Sequence, residues 1–543
     1  MNNIFRLTVF ALVDIISSCS LPTVKLGEIT DYYSNEKSES YLNLTVNFDK
    51  EELDSYFNKL FAAIRENSSY AYQDSEFVTN FNNMMSTFYK LIDSITINRT
   101  KYYDSGEASY KTAYHDSYDL YLETLSTYHD LLDAANHSNY KEVLFSGMSD
   151  KEIQDLIDSY ETSEEEKQYT LTLEDYSNEA NEIYKDYYFE SEYEDKMFDL
   201  LVKYMKTANE YATYLGESYL EHVYKEDYDR NYTTQDAYNF YASVKSELVP
   251  AATLFSSKFE AMALNSSEKK YMNLLDSYNF RYYETDILPA LENYVYSIEP
   301  LSNAYKNLWS DKGIYCFSNS NDSLGTAYTS YLRSKKQPIL FFSKKYQDAF
   351  TFVHEFGHYT NAYCTKGGHD PMDISEIDSQ ANELLFASYL LENYEELGMS
   401  SNIVSYINVS QLNSQLRSII NCAYVSEMEQ IAYSYDLSDK ACFFRKIDEI
   451  SSSYGSSVLK KYWWAPVLCS FGYYISYATS SIGALQFYIN SRSDFSSAAN
   501  KYSKFVQRKG TGDTIDEVTT SVGLLQIYSE EAVKYVAEYV KKQ

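Results

Sequence analysis

The chain has 543 residues, of which 46 are basic and 79 acidic, giving a formal net charge of −33. That charge argues against nucleic acid as a partner, because such a surface repels a phosphate backbone. Hydrophobic residues at 44% and aromatics at 17% exclude bulk disorder, and 7 prolines with 16 glycines are too few for a strand-and-turn fold. The expectation is a mainly α protein, large enough for one large domain or for two lobes that shelter a cleft.

The N-terminus, MNNIFRLTVFALVDIISSCSLP, sets one arginine ahead of an apolar run of signal-peptide length. Ile16-Ser17-Ser18-Cys19 resembles a bacterial lipobox, so residues 1–19 are expected to be a signal or lipoprotein peptide and Cys19 a lipid anchor to the membrane. Asp14 within the run and the lone Arg6 count against export, and a cytoplasmic protein with a short buried N-terminal helix is the alternative.

Residues 20–190 read as an N-terminal helical region. LDSYFNKLFAAIREN and YDLYLETLSTYHDLLDAANH repeat apolar residues every three or four positions. Residues 191–543 read as the second, larger domain, with longer and more aromatic helices such as DKMFDLLVKYMKTANEYATYLG. Its clearest strand is QPILFF, residues 337–342, just before the helical pattern DAFTFVHEFGHYTNAYC. The 60 tyrosines are expected to pack like Phe and Leu while their hydroxyls stay near water. Six cysteines, at 19, 316, 364, 422, 442 and 469, form no CxxC pair, which excludes a thiolate zinc site and a disulfide framework.

Chemistry concentrates at HEFGH, residues 354–358. Residues four apart on an α-helix project from nearly one face, so His354 and His358 can present two imidazoles to one ion. Glu355, about 100° round the helix, can reach a water molecule without becoming a ligand. Zinc takes such donors tetrahedrally and lowers the pKa of water, whose proton the glutamate can accept. With 7 histidines in the chain, chance predicts about 0.01 such motifs.

A third ligand is expected from the next helix, SEIDSQANELLFASYLLENY, where Glu376, Gln380 and Glu383 interrupt an otherwise apolar pattern. Burying them is costly unless they meet something. Glu376 is the expected third ligand of one Zn²⁺ per chain, with Glu383 orienting a histidine and His369 in the intervening loop as the competitor.

HEFGH followed by E-x-x-S-Q-x-x-E resembles the thimet-oligopeptidase-like zinc metallopeptidases, and the chain is most similar to the oligoendopeptidase F group over roughly residues 190–540. The segment GYYISYATS, residues 472–480, is similar to the tyrosine-rich segment of that family. The resemblance implies a two-lobed helical fold with a deep channel and a small β-sheet beside the zinc helix. It implies hydrolysis of internal bonds in short unstructured peptides, with Glu355 as general base and Tyr477, with Tyr473, stabilising the oxyanion. There are two departures. APVLCSFG has Val467 where the family has a histidine, and the spacing from His358 to Glu376 is shorter. A helical HExxH metallocarboxypeptidase and a catalytically silent peptide-binding lipoprotein remain as alternatives.

Overall fold

The computed structural model describes residues 44–66, 71–158, 160, 163–187, 190–275, 287–310, 312–323, 326–368, 370–455, 464–508 and 513–543. Cys19 and His369 lie outside them. The protein is mainly α with one small sheet, as its composition implies. Among the described residues no helix is long and apolar enough to cross a membrane.

Helices α1 (Lys50–Glu66), α2 (Ala71–Ser105) and α3 (Ala108–Asn136) share an N-terminal core. Helix α2 turns Phe77, Met84, Phe88, Leu91 and Ile95 into it, the three-, four- and seven-residue steps by which a helix buries one face. Leu53, Phe57 and Leu60 of α1 and Tyr121 and Leu125 of α3 close against that stripe. Helices α4 (Glu164–Tyr187) and α5 (Tyr193–Leu215) belong instead to the large core that runs on to Val540. Leu173, Ala180 and Ile183 of α4 join it.

The sheet has three strands, β1 (Ile314–Phe317), β2 (Ala327–Leu332) and β3 (Gln337–Phe342), in the order β1-β3-β2. Strand β3, the apolar QPILFF run, is central, parallel to β1 and antiparallel to β2. Five of its six residues are buried, as a strand covered on both faces should be. Helices α6 (Ala349–Thr365), α7 (Met372–Asn393), α8 (Ser401–Ser434), α9 (Ile475–Ser493) and α10 (Phe495–Val506) are the elements of the large body nearest the candidate site, packed among its other helices.

The tyrosines behave differently from the expectation. Tyr232, Tyr294, Tyr454 and Tyr502 are buried, and their hydroxyls donate to Asp373, Asn382, Glu427 and the Asp378 carbonyl in place of water. A tyrosine-rich interior therefore needs matching buried acceptors, and the acidic and amide residues of the core supply them.

The N-terminal helices meet the sheet through Asp93 of α2, which is fully buried. Its carboxylate accepts the N–H of Arg333 at 2.7 Å, the N–H of Ser334 at 2.9 Å and the Ser334 hydroxyl, all from the turn joining β2 to β3. Ile97 of α2 packs beside this turn with Ile314, Leu332 and Ile339. Replacing Asp93 by Ala strands two backbone donors and should cost about 2–4 kcal/mol, read as a lower urea midpoint. An unchanged midpoint would show that other contacts hold the turn.

Candidate metal centre

Helix α6 starts where Asp348 accepts the N–H groups of Phe350 and Thr351, each at 3.0 Å, an N-cap that satisfies two otherwise free donors. It ends where Lys366 and Gly367 turn into the left-handed region with φ of 59° and 72°. The motif sits mid-helix. Helix α7 begins at Met372, ahead of the expected start at Ser375. Pro371, lacking an N–H, stands outside the first turn, and Asp373 suits the positive end of the helix dipole.

The two helices cross at the glycine of HEFGH. A Cβ on Gly357 would lie 2.4 Å from the Asp378 carbonyl oxygen and 2.8 Å from the Ser379 Cα, so only glycine permits this approach. The crossing carries Glu376 under the histidines. Its Oε2 lies 3.9 Å from Nε2 of His354 and 3.9 Å from Nε2 of His358. The histidine side chains keep 25% and 16% exposure while that of Glu376 keeps 1%, so the cluster has one wet side.

His354, His358 and Glu376 are the one group of potential metal ligands among the described residues, with donor atoms within 4.8 Å of one another. Around a tetrahedral ion with bonds of ~2.1 Å, donors lie about 3.4 Å apart, so a small contraction suffices. Glu376 Oε2 is buried and has no hydrogen-bond partner, the condition of a ligand oxygen awaiting a cation. The set fits zinc.

Neighbouring charges tune the cluster. Burial opposes charging His354, but a 2.7 Å hydrogen bond from Nδ1 to Glu383 and the nearby carboxylates raise its pKa to about 9. That bond directs Nε2 towards Glu376. Burial pushes Glu376 up to about 7, with His354 and the neighbouring Tyr477 hydroxyl pulling it back. Burial likewise raises Glu355 to about 7, opposed by His354 and by Thr329. Burial and the charge of His354 hold His358 well below the usual imidazole value. A divalent cation would favour the ionised carboxylates and the neutral imidazoles, opposing the raised values of Glu376, Glu355 and His354 and keeping His358 neutral.

Of the three polar residues singled out on α7, two face the centre. Gln380 does not, accepting from Ser480 at 3.1 Å and Ser481 at 2.9 Å on α9. Tyr477, in the first turn of α9, and Tyr473 just before it are buried, with hydroxyl oxygens 2.6 Å apart. Val467 is fully buried and brings no polar group to the centre.

Sequence reasoning missed the groups that hold these elements in place. Arg230, clamped between the rings of Tyr224 and Tyr228, donates to Asp373 of α7 at 3.0 Å and to Ser476 of α9 at 2.7 Å. Arg508 forks onto both oxygens of Asp378 at 2.7 Å and also reaches Asp370 at 2.9 Å. Neither arginine carries a periodicity signal. Thr329 of β2 donates to Glu355 at 2.9 Å, and the sequence AYTSYL, without a clean alternation, gives no signal of its strand.

No protein-family model and no curated protein sequence matches the chain. Solved structures do. PZ peptidase A superposes with a TM-score of 0.71 at 15% identity, over 93% of this chain and 98% of its own. A Bacillus anthracis protein assigned as an oligoendopeptidase F gives 0.65 at 17% identity, over 92% and 97%. An M32 carboxypeptidase from Deinococcus radiodurans gives 0.58 at 14% identity, over 84% and 97%. The fold is that of the helical metallopeptidases. Within that class it is an oligoendopeptidase F-like fold, as the HEFGH resemblance implies.

The glycine crossing is testable. Gly357→Ala should force α7 away from α6, cutting zinc stoichiometry from about one to below about 0.3 per chain by elemental analysis, with the helical circular dichroism signal kept. Full zinc in that variant would show the approach to be dispensable.

Proposed function

We propose that the protein is a zinc oligoendopeptidase that hydrolyses internal bonds of short, unstructured peptides. The observation that carries this reading is the buried, unpartnered Glu376 oxygen facing both imidazoles, with the Glu355 carboxylate on the same helix. His354, His358 and Glu376 hold the metal, and Glu383 fixes the His354 ring. A zinc ion there supplies Lewis-acid polarisation of the scissile carbonyl and acidifies a water molecule. Glu355 takes the proton from the attacking water and passes it to the leaving amine. Tyr477, partly backed by Tyr473, donates to the oxygen on which negative charge develops.

Cleavage within the peptide is favoured over release of a C-terminal residue by the closer superposition on the oligopeptidase folds than on the carboxypeptidase fold. An internally quenched peptide blocked at both ends separates the two, since a carboxypeptidase leaves it intact. The expected result is cleavage that stops with a chelator and returns with zinc. Glu355→Gln should keep the metal and lose about 10²–10⁴-fold in kcat. Blocked peptide left intact while the unblocked form loses C-terminal residues would assign the carboxypeptidase activity instead.

Tyr477 should act on the transition state more than on binding. Tyr477→Phe is expected to lower kcat by roughly 10²–10³-fold with KM nearly constant. A raised KM at constant kcat would mark it as a substrate-packing residue.

A further inference from the structure

A general base must be aimed as well as present. Glu355 has three side-chain torsions, and neither histidine restrains them, because both point to the metal side. The restraint comes from outside the helix. Thr329 Oγ1 lies 2.9 Å from Glu355 Oε2 and 2.9 Å from the Glu355 backbone carbonyl oxygen, so one hydroxyl touches both ends of this residue. Between the two acceptors the carboxylate is the stronger. The contact leaves Oε1 free.

Thr329 is itself rigidly held. It pairs with Leu340 in the antiparallel register of β2 and β3. Its neighbour Tyr328 is fully buried, bonded to Thr100 and covered by the Arg99 guanidinium at 4.7 Å, both from α2. The far end of β2 is gripped by Asp93. A hydroxyl on so fixed a strand can define a direction for a flexible carboxylate.

We propose that Thr329 is a positioning residue for the reaction: its hydroxyl holds one oxygen of Glu355, so that the other is presented to the attacking water. The inference rests on the peptidase reading and adds to it a requirement for an oriented base. It also means that the N-terminal helix α2, through β2, sets the aim of a residue in the C-terminal body.

The test compares Thr329→Val, which keeps shape and removes the hydroxyl, with Thr329→Ala and Thr329→Ser in the zinc-loaded protein on the quenched peptide. Val and Ala should each lower kcat about tenfold to hundredfold, the factor expected for one hydrogen bond to a charged group, with KM within about twofold. Zinc content should stay at one per chain, and Thr329→Ser should recover kcat to within about threefold. In a crystal structure of Thr329→Val, the Glu355 carboxylate should leave its single position or split between rotamers. Unchanged kcat in both hydroxyl-free variants overturns the proposal. So does zinc loss, a change confined to KM, or failure of Ser to rescue. A wild-type protein inactive on all peptides overturns the peptidase reading instead, and that outcome is distinguishable because the variants then have no rate to lose.

Discussion

The backbone contact between α6 and α7 at Gly357 is the constraint on which the site depends. Helix axes usually pack 8–10 Å apart, a spacing set by the side chains between them. Here a side chain as small as a methyl group would already meet the Asp378 carbonyl. The close crossing allows a short glutamate from one helix to stand beside two imidazoles of the other without a loop. A candidate metal site built from two helices in this way inherits their rigidity.

Helix α7 is steered by charge on several faces. Asp373, Glu376 and Asp378 fall within two turns, and the 100° advance per residue sends them to different partners. Asp373 meets Arg230 and the hydroxyls of Tyr232, Ser476 and Thr479, while Asp378 meets Arg508. Buried ion pairs of this kind add little net stability, because desolvation offsets the attraction. What they fix is rotation and register: sliding α7 by one residue would break both clusters. The middle carboxylate, Glu376, keeps one buried oxygen without a hydrogen-bond partner beside the two histidines. The shared attachment of Asp373 and Ser476 to Arg230 also keeps the tyrosine helix in step with the ligand helix.

The sequence made the candidate metal centre more legible than its surroundings. His354, Glu355 and His358 follow from helical geometry, because a fixed 3.6-residue turn converts spacing directly into a shared face. Glu376 and Glu383 were visible as polar residues in an apolar pattern, where burial is costly. Gln380 looked the same on that criterion and met α9 hydroxyls instead, since a cost of burial says that a partner exists without saying which one. The strand QPILFF was legible because a covered strand is continuously apolar. Strand β2 was not, being half-buried and rich in Tyr, Thr and Ser. Arg230, Arg508, Asp93 and Thr329 act across 26 to 246 positions of chain, and no local rule connects residues so far apart.

The grip of Asp93 on the β2–β3 turn spans 240 residues, which gives it a meaning in time. At an elongation rate of ~5–20 residues per second, the turn leaves the ribosome roughly 10–50 s after the helix that holds it. Throughout that interval α1, α2 and α3 can already pack around their own apolar stripe, while the acceptor they carry for the sheet has nothing to receive. The carboxylate then waits in water, where it is well solvated, and is dehydrated only when the late-made turn arrives with three donors. The N-terminal helices are thus made well before the strand they hold, and the setting of Glu355 waits for a turn made 240 residues after Asp93.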